Sequence, residues 1–127
     1  MAKTDFGVAM VKARADTRKN LVKMANDLGT TPSFLSAMET GRKNISTDWV
    51  KKIESYFLAL GVKINNLMEL SVMSNQNIDI KEFADSEKRM IARAVGFAKS
   101  NLSEEERQEI NDLFDKIDRM QSEKEKQ

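Results

Sequence analysis

Three observations predict that this chain folds into α-helices alone. Apolar residues recur at intervals of three and four through most of the sequence, which places them along one face of a helix. Residues that favour helix N-termini stand just before several of these stretches. The 127 residues include only one proline and five glycines, and 40% of them are apolar against 32% charged, which is typical of a mostly helical globular protein. We therefore expect an all-α fold of five helices followed by two more.

The residue types that the chain lacks exclude several kinds of catalytic and metal-binding site. It contains no cysteine and no histidine, which excludes disulfides and cysteine- or histidine-ligated zinc, and removes the commonest general base. There is also no glycine-rich phosphate loop. We therefore expect no enzyme activity, no metal and no cofactor. No apolar run approaches the roughly 20 residues of a membrane span, and the N-terminus lacks the apolar region of a signal peptide. We expect no membrane association and a cytoplasmic location.

The first three predicted helices are separated by polar or glycine breaks. Asn20 is placed to cap the second helix, and Gly29 stands where a left-handed residue ends it. Thr31 is placed to cap the third helix, with Pro32 at its first position, where a missing N–H costs nothing. This helix ends near Gly41. The residues expected to face inward are Phe6, Met10 and Ala13 in a first helix over 5–15, and Leu21, Met24, Ala25 and Leu28 in the second.

The fourth and fifth helices follow from similar patterns. Ser46 is placed to cap the fourth helix, with Ile45 and Val50 spaced as a hydrophobic staple, and Gly61 ends it. The fifth helix is expected over about 64–71. The expected buried residues of the fourth helix are Trp49, Val50, Ile53, Phe57 and Leu60.

The polar segment 74–85 breaks the helical periodicity and is predicted to link an N-terminal domain over 1–73 to a C-terminal part. The alternation at 78–80 allows a short strand. Residues 86–122 form two amphipathic helices joined by a short connection, which predicts an antiparallel two-helix hairpin. Ser103 and Glu106 make a capping box for the last helix, and 123–127 is expected to be a charged tail.

Charge is distributed unevenly along the chain. Residues 1–62 hold ten Lys and Arg against six Asp and Glu, whereas residues 63–127 hold eleven against fourteen. A basic front half followed by an acidic back half fits a nucleic-acid-binding module joined to a protein-facing one. Ordinary scatter of surface charge remains an alternative explanation.

The stretch from Met24 to Asn44 has the most informative pattern. Two short helices are joined by a tight glycine turn, and the second runs out into a basic loop. This is the layout of a helix-turn-helix, which places its second helix in the major groove of DNA while neighbouring residues contact phosphates.

Residues 6–70 resemble the Cro/repressor-type helix-turn-helix family, which includes the lambdoid phage repressors and the XRE-like regulators. The residues that carry the resemblance are Ala25, Gly29, the helix start Thr31-Pro32-Ser33, Leu35 and Glu39-x-Gly41-Arg42. The resemblance implies a five-helix, lambda-repressor-like domain. It also implies a homodimer that binds operator sites in double-stranded DNA and regulates transcription, more often as a repressor than as an activator.

The resemblance also implies roles for individual residues. Arg14 falls where relatives carry an arginine that pairs with the glutamate at Glu39, and a guanidinium fork can hold a carboxylate bidentately. Leu21 replaces a glutamine that contacts phosphate in relatives, so neighbouring residues must supply that contact. The positions that read bases are Pro32, Ser33, Ser36 and Ala37. The positions expected to contact phosphates are Arg18, Lys19, Asn20, Thr31, Arg42, Lys43 and Asn44.

The last two helices lie outside the resemblance. Their apolar stripes are too wide for one hairpin to hide both, so they must pack on the N-terminal domain, on each other or on a partner chain. We expect homodimerisation through Ile110, Leu113, Phe114 and Ile117. Intramolecular packing and a dedicated protein partner remain alternatives. The alternative function is an antitoxin, or another protein-interaction module, whose DNA binding serves autoregulation.

Overall fold

The computed structural model describes residues 2–125, and this part of the chain is all-helical, with seven α-helices, one short 3-10 helix and no strand. The chain divides into two compact units between Ile78 and Asp79. The N-terminal unit contains α1 (Asp5–Thr17), α2 (Leu21–Asp27), α3 (Pro32–Glu39), α4 (Thr47–Ala59) and α5 (Leu67–Ser74). The C-terminal unit contains the 3-10 helix (Ile80–Glu82), α6 (Asp85–Lys99) and α7 (Glu104–Glu125).

A single apolar core holds the N-terminal unit together. Helix α1 packs against both α3 and α5, while α2 packs on α3 and α4 on α5. Removing this much apolar surface from water is the main stabilising contribution to the unit. The buried apolar residues are Phe6, Met10, Ala13, Met24, Ala25, Leu35, Met38, Ile45, Val50, Ile53, Phe57 and Leu67.

The predicted N-caps are confirmed. The side chain of Asn20 accepts a hydrogen bond from the Lys23 N–H at 2.7 Å, and the Ser46 hydroxyl accepts one from the Trp49 N–H at 3.2 Å. Each cap satisfies a backbone donor that has no partner within its helix. Ile45, just before the Ser46 cap, is buried as expected of the staple.

Two helix predictions are wrong in detail. Helix α5 starts and ends three residues later than expected, because Asn66 takes a left-handed conformation (φ 52°) and the helix begins only after it. Leu60 is 40% exposed rather than buried. Helix α4 ends at Ala59, so the helical spacing that would turn Leu60 inward no longer applies.

The segment 74–85, predicted as a linker, contains defined structure. Asn75 belongs to the N-terminal unit and bonds to its backbone. The suggested strand at 78–80 is wrong, because the Asp79 side chain accepts a hydrogen bond from the Lys81 N–H and starts a 3-10 helix instead. Helix α7 continues to Glu125, so most of the predicted charged tail is helical; residues 126 and 127 lie outside the described part.

The C-terminal unit has helices but no core of its own. The capping box at the start of α7 is confirmed, since the Glu106 N–H donates to the Ser103 hydroxyl and the Ser103 N–H donates to the Glu106 carboxylate. No residue of α6 or α7 is buried. None of the described helices combines the length and apolar character needed to cross a bilayer.

Candidate nucleic-acid interface

The connection between α2 and α3 is a four-residue turn with a defined backbone path. Gly29 takes a positive φ of 70°, a conformation that costs glycine little and other residues more. The Thr30 N–H donates to the Ala25 carbonyl across the end of α2. The Thr31 hydroxyl then accepts from the Phe34 N–H at 3.1 Å, and Pro32 is the first residue of α3. These contacts fix the start of α3 relative to α2.

Glu39 fixes the other end of α3. Its carboxylate is 1% exposed and takes two bonds from the guanidinium of Arg14, at 2.6 and 2.8 Å. The ammonium group of Lys3 lies 3.2 Å from the same carboxylate. Arg14 also contacts the sulfur of the buried Met24. One guanidinium therefore bridges α1, α2 and α3, in a bidentate geometry that lysine cannot reproduce.

The backbone around Glu39 is held as closely as its side chain. The Glu39 carbonyl accepts bonds from the Thr4 N–H at 3.0 Å and from the Thr4 hydroxyl at 3.1 Å. Gly7 lies against the same carbonyl, and a β-carbon there would overlap it. Sequence reasoning missed Gly7, although an isolated glycine inside a helical pattern often marks a close packing contact.

The four residues predicted to read bases lie on the accessible side of α3. Ser33 is exposed, while Pro32, Ser36 and Ala37 are half-buried. The side chains of Ser33 and Ser36 make no hydrogen bond to any other residue in the described part of the chain, so both hydroxyls are free to bond a ligand. This face is small and carries no charge.

A basic loop follows α3 and is anchored at several points. Arg42 and Lys43 are exposed, and Arg42 Nε donates to the Thr40 hydroxyl at 3.1 Å. The carbonyl oxygen of the Asn44 side chain accepts a bond from the Gln76 N–H at 3.3 Å. Beside it, the side-chain amide of Asn75 bonds both the N–H of Ile45 at 2.7 Å and its carbonyl at 2.9 Å. The loop is therefore tied to the end of α5.

Two aromatic rings and two lysines form a continuous edge beside α3. The rings of Phe34 and Trp49 pack in a tilted arrangement, with their centroids 5.0 Å apart and their planes at 44°. The ammonium of Lys43 lies 5.0 Å from the Phe34 centroid, and that of Lys52 lies 4.7 Å from the Trp49 centroid. Phe34, whose direction the sequence left open, packs on Trp49. The sequence analysis missed Lys52, although it stands three residues after Trp49 and so on the same helix face.

The three residues before α2 that are predicted to contact phosphates differ in exposure and in hydrogen bonding. Arg18 is exposed and takes a left-handed conformation that ends α1. Lys19 is half-buried, and the Asn20 side-chain oxygen is occupied by its capping bond. Leu21 is half-buried against the core. The Arg18 guanidinium, the Lys19 ammonium and the Asn20 amide N–H groups are the donors that this corner offers.

A hydrogen-bonded pair joins α2 to α4. The Tyr56 hydroxyl donates to the Asp27 carboxylate at 2.8 Å, and Lys23 forms an ion pair with the same carboxylate at 2.9 Å. The Lys23 and Tyr56 bonds lower the pKa of Asp27. Burial, followed by the bond to Asp27, raises the pKa of Tyr56 to about 12.

The residues predicted for dimerisation lie along one side of α7. Phe114 is 55% exposed, Leu113 and Ile117 are also exposed, and Ile110 is half-buried. They form an apolar stripe that is not covered within the single chain.

Comparison of the chain with protein-family models, with curated proteins and with solved structures gives no match.

Proposed function

We propose that the N-terminal unit binds double-stranded DNA, with α2, its turn and α3 acting as a helix-turn-helix and α3 entering the major groove. The chain then acts as a sequence-specific transcriptional regulator, and more specifically as a repressor that binds a two-fold symmetric operator as a homodimer. Two recognition helices separated by about 34 Å would meet successive major grooves on one side of the duplex.

The observation that carries this proposal is that α3 is fixed at both ends while its outer face is left open. The Thr31 cap and the Gly29 turn hold its start, and the buried Glu39 carboxylate holds its end. A helix that reads DNA needs both a fixed orientation and an accessible face.

The chemistry of this face limits how sequence is read. Ser33 and Ser36 can each make one hydrogen bond that does not distinguish bases well, and Ala37 can contact only the methyl group of thymine. None of the four side chains is an arginine, asparagine or glutamine, which read guanine or adenine bidentately. We therefore expect modest direct readout, with DNA shape, bound water and half-site spacing supplying much of the specificity.

The surroundings of α3 supply phosphate contacts. Arg42 and Lys43 follow it directly in an anchored loop, and at the start of α3 the Ser33 N–H makes no hydrogen bond in the described part of the chain, so it can bind an anion. Lys52 adds a further cation along the aromatic edge. Cations beside a neutral reading face can contact the phosphate strands that form the walls of the groove.

Selection from a pool of randomised DNA duplexes, carried out with the full-length chain, tests the proposal. We expect enrichment of a two-fold symmetric site, and loss of that enrichment when Arg42 and Lys43 are both replaced by glutamate. The matched control is Arg119→Glu, which lies on the side of α7 opposite the apolar stripe of that helix. This variant should leave enrichment intact.

Absence of enrichment at any salt concentration would contradict the proposal. It would instead favour a module that binds DNA only together with a protein partner, as an autoregulating antitoxin does.

A further inference from the structure

The C-terminal unit presents apolar surface on both of its α-helices. Met90 and Phe97 of α6 and Leu113, Phe114 and Met120 of α7 are all exposed. No residue of either helix is buried, so the connection 100–103 does not bring the two stripes into a completed core. Exposed apolar stripes of this kind are typical of a surface that associates with another macromolecule.

The two helices carry opposite charge. Helix α6 contains four basic and two acidic residues, and α7 contains nine acidic and four basic residues. One charge of the matching sign stands beside each stripe: the Arg93 guanidinium lies 5.9 Å from the Phe97 centroid, and Glu109 stands four residues before Leu113, next to it on the helix surface. With a net basic α6 and a net acidic α7, the two helices are complementary in both apolarity and charge.

We infer that two copies of the chain associate through these helices, with the α6 stripe of each copy packed against the α7 stripe of the other. A second copy is favoured over an unrelated protein because one chain carries both complementary surfaces. A two-fold axis that relates the two copies then produces both contacts, α6 on α7 and α7 on α6. The four helices form a bundle with an apolar centre and opposite charges at its edges. This inference rests on the dimeric form of the proposed regulator.

Charge reversal distinguishes this arrangement from its alternatives. In one variant two basic residues that flank the α6 stripe are reversed, and in a second variant two acidic residues that flank the α7 stripe are reversed. Each variant alone then faces its own copy with like charges, whereas a mixture pairs opposite charges across both contacts. The two sets of substitutions are Arg89→Glu and Arg93→Glu in the first, and Glu109→Lys and Asp118→Lys in the second.

Molar mass by light scattering, without DNA, is the measurement. We expect the wild-type chain to have the mass of two copies, each variant alone to have the mass of one, and the equimolar mixture to recover the mass of two. Fluorescence of Trp49, the only tryptophan, shows in each case that the N-terminal unit is folded.

Three results would overturn the inference. A monomeric wild-type chain would show that the stripes do not join two copies. A mixture that stays monomeric would show that α6 does not pack on the α7 of another copy. Loss of the dimer in Met73→Asp but not in Phe114→Asp would move the interface to α5, where Met73 is also exposed. Because no DNA is present, the inference can fail while DNA binding stands.

Discussion

Gly7 in α1 lies directly against the backbone carbonyl of Glu39 at the end of α3. The contact lets α1 approach α3 closely enough for Thr4 to bond the same carbonyl and for Arg14 to reach the Glu39 carboxylate. A residue with no side chain is thus required at the point where the proposed reading helix is oriented. The features that fix α3 come from three separate parts of the sequence.

Replacement of Gly7 by alanine should destabilise the N-terminal unit. The added β-carbon meets backbone atoms of Glu39, which cannot move as a side-chain end can. Overpacking of this kind costs about 1–3 kcal/mol. Urea denaturation followed by Trp49 fluorescence measures the effect. Gly96→Ala is the matched control, because Gly96 also lies in a helix but has open space around it; it should leave the Trp49 transition unchanged.

Removal of Arg14 should cost more than removal of the whole ion pair. Arg14→Met leaves the Glu39 carboxylate buried with only the half-exposed Lys3 as a partner, and breaking such a pair costs about 3–5 kcal/mol. A double variant with Glu39→Leu removes both charges and should recover much of that loss in a denaturation experiment. If Arg14→Met left both stability and DNA affinity unchanged, the orienting role of the pair would be wrong.

Burial of Tyr56, together with its bond to Asp27, should make the stability of the folded chain fall in alkali. Because the pKa of Tyr56 is raised from 10.0 to about 12 in the folded chain, the unfolded chain loses this proton first as the pH rises. The contribution of Tyr56 is therefore complete below pH 10 and is lost progressively up to about pH 12.

Tyr56→Phe should abolish that part of the alkaline decline. Because Tyr56 is the only tyrosine, its titration can be followed directly by ultraviolet absorbance of the phenolate. A titration midpoint at the ordinary value of 10.0 would contradict the prediction.

Substitutions on the outer face of α3 should distinguish the contribution of hydrogen bonding to DNA affinity from that of steric fit. Ser33→Ala removes one bond to DNA and should cost only about 1–3 kcal/mol of binding free energy. Ala37→Phe should cost more, because the ring would keep α3 away from the bases. Titration of a selected duplex measures both losses. A Ser33→Ala loss well above this range would show that direct readout is stronger than the side chains of this face suggest.

Loss of a phosphate contact should change the salt dependence of DNA binding rather than its sequence preference. Lys43→Ala should lower the slope of log affinity against log salt concentration by about 0.9, the value for one phosphate contact. Affinity should fall by a similar factor on every duplex. Arg119→Ala, at an exposed position of α7, should leave the slope unchanged. An altered base preference in the Lys43 variant would mean that this residue contacts bases.

Features that depend on near neighbours in the chain were predictable. Thr31, Ser46 and Ser103 cap their helices because a short polar side chain reaches an N–H three residues later, whatever the rest of the fold does. The inward positions of α1 and α2 followed from helical spacing alone. Where the spacing was extended beyond a helix end, as at Leu60, or where no capping side chain marked a start, as at Asn66, the prediction failed.

Features that depend on distant parts of the chain were not predictable from these patterns. Asn75 fell in a segment that looked like a linker, yet its amide bonds both backbone groups of Ile45, thirty residues earlier. The contact between the rings of Phe34 and Trp49 joins α3 to α4 across a loop. Neither contact can be inferred from the spacing of residues within one helix.

The sequence by itself therefore determined the helical class, the caps and most of the residues that face the core, because these follow from backbone hydrogen bonding and from a period of 3.6 residues. Only the tertiary structure decided how closely α1 approaches α3 at Gly7, which residues anchor the loop after α3, and that the apolar stripes of α6 and α7 stay uncovered. These outcomes depend on which surfaces meet in space, and a surface without a partner in the chain looks the same in the sequence as one that is buried.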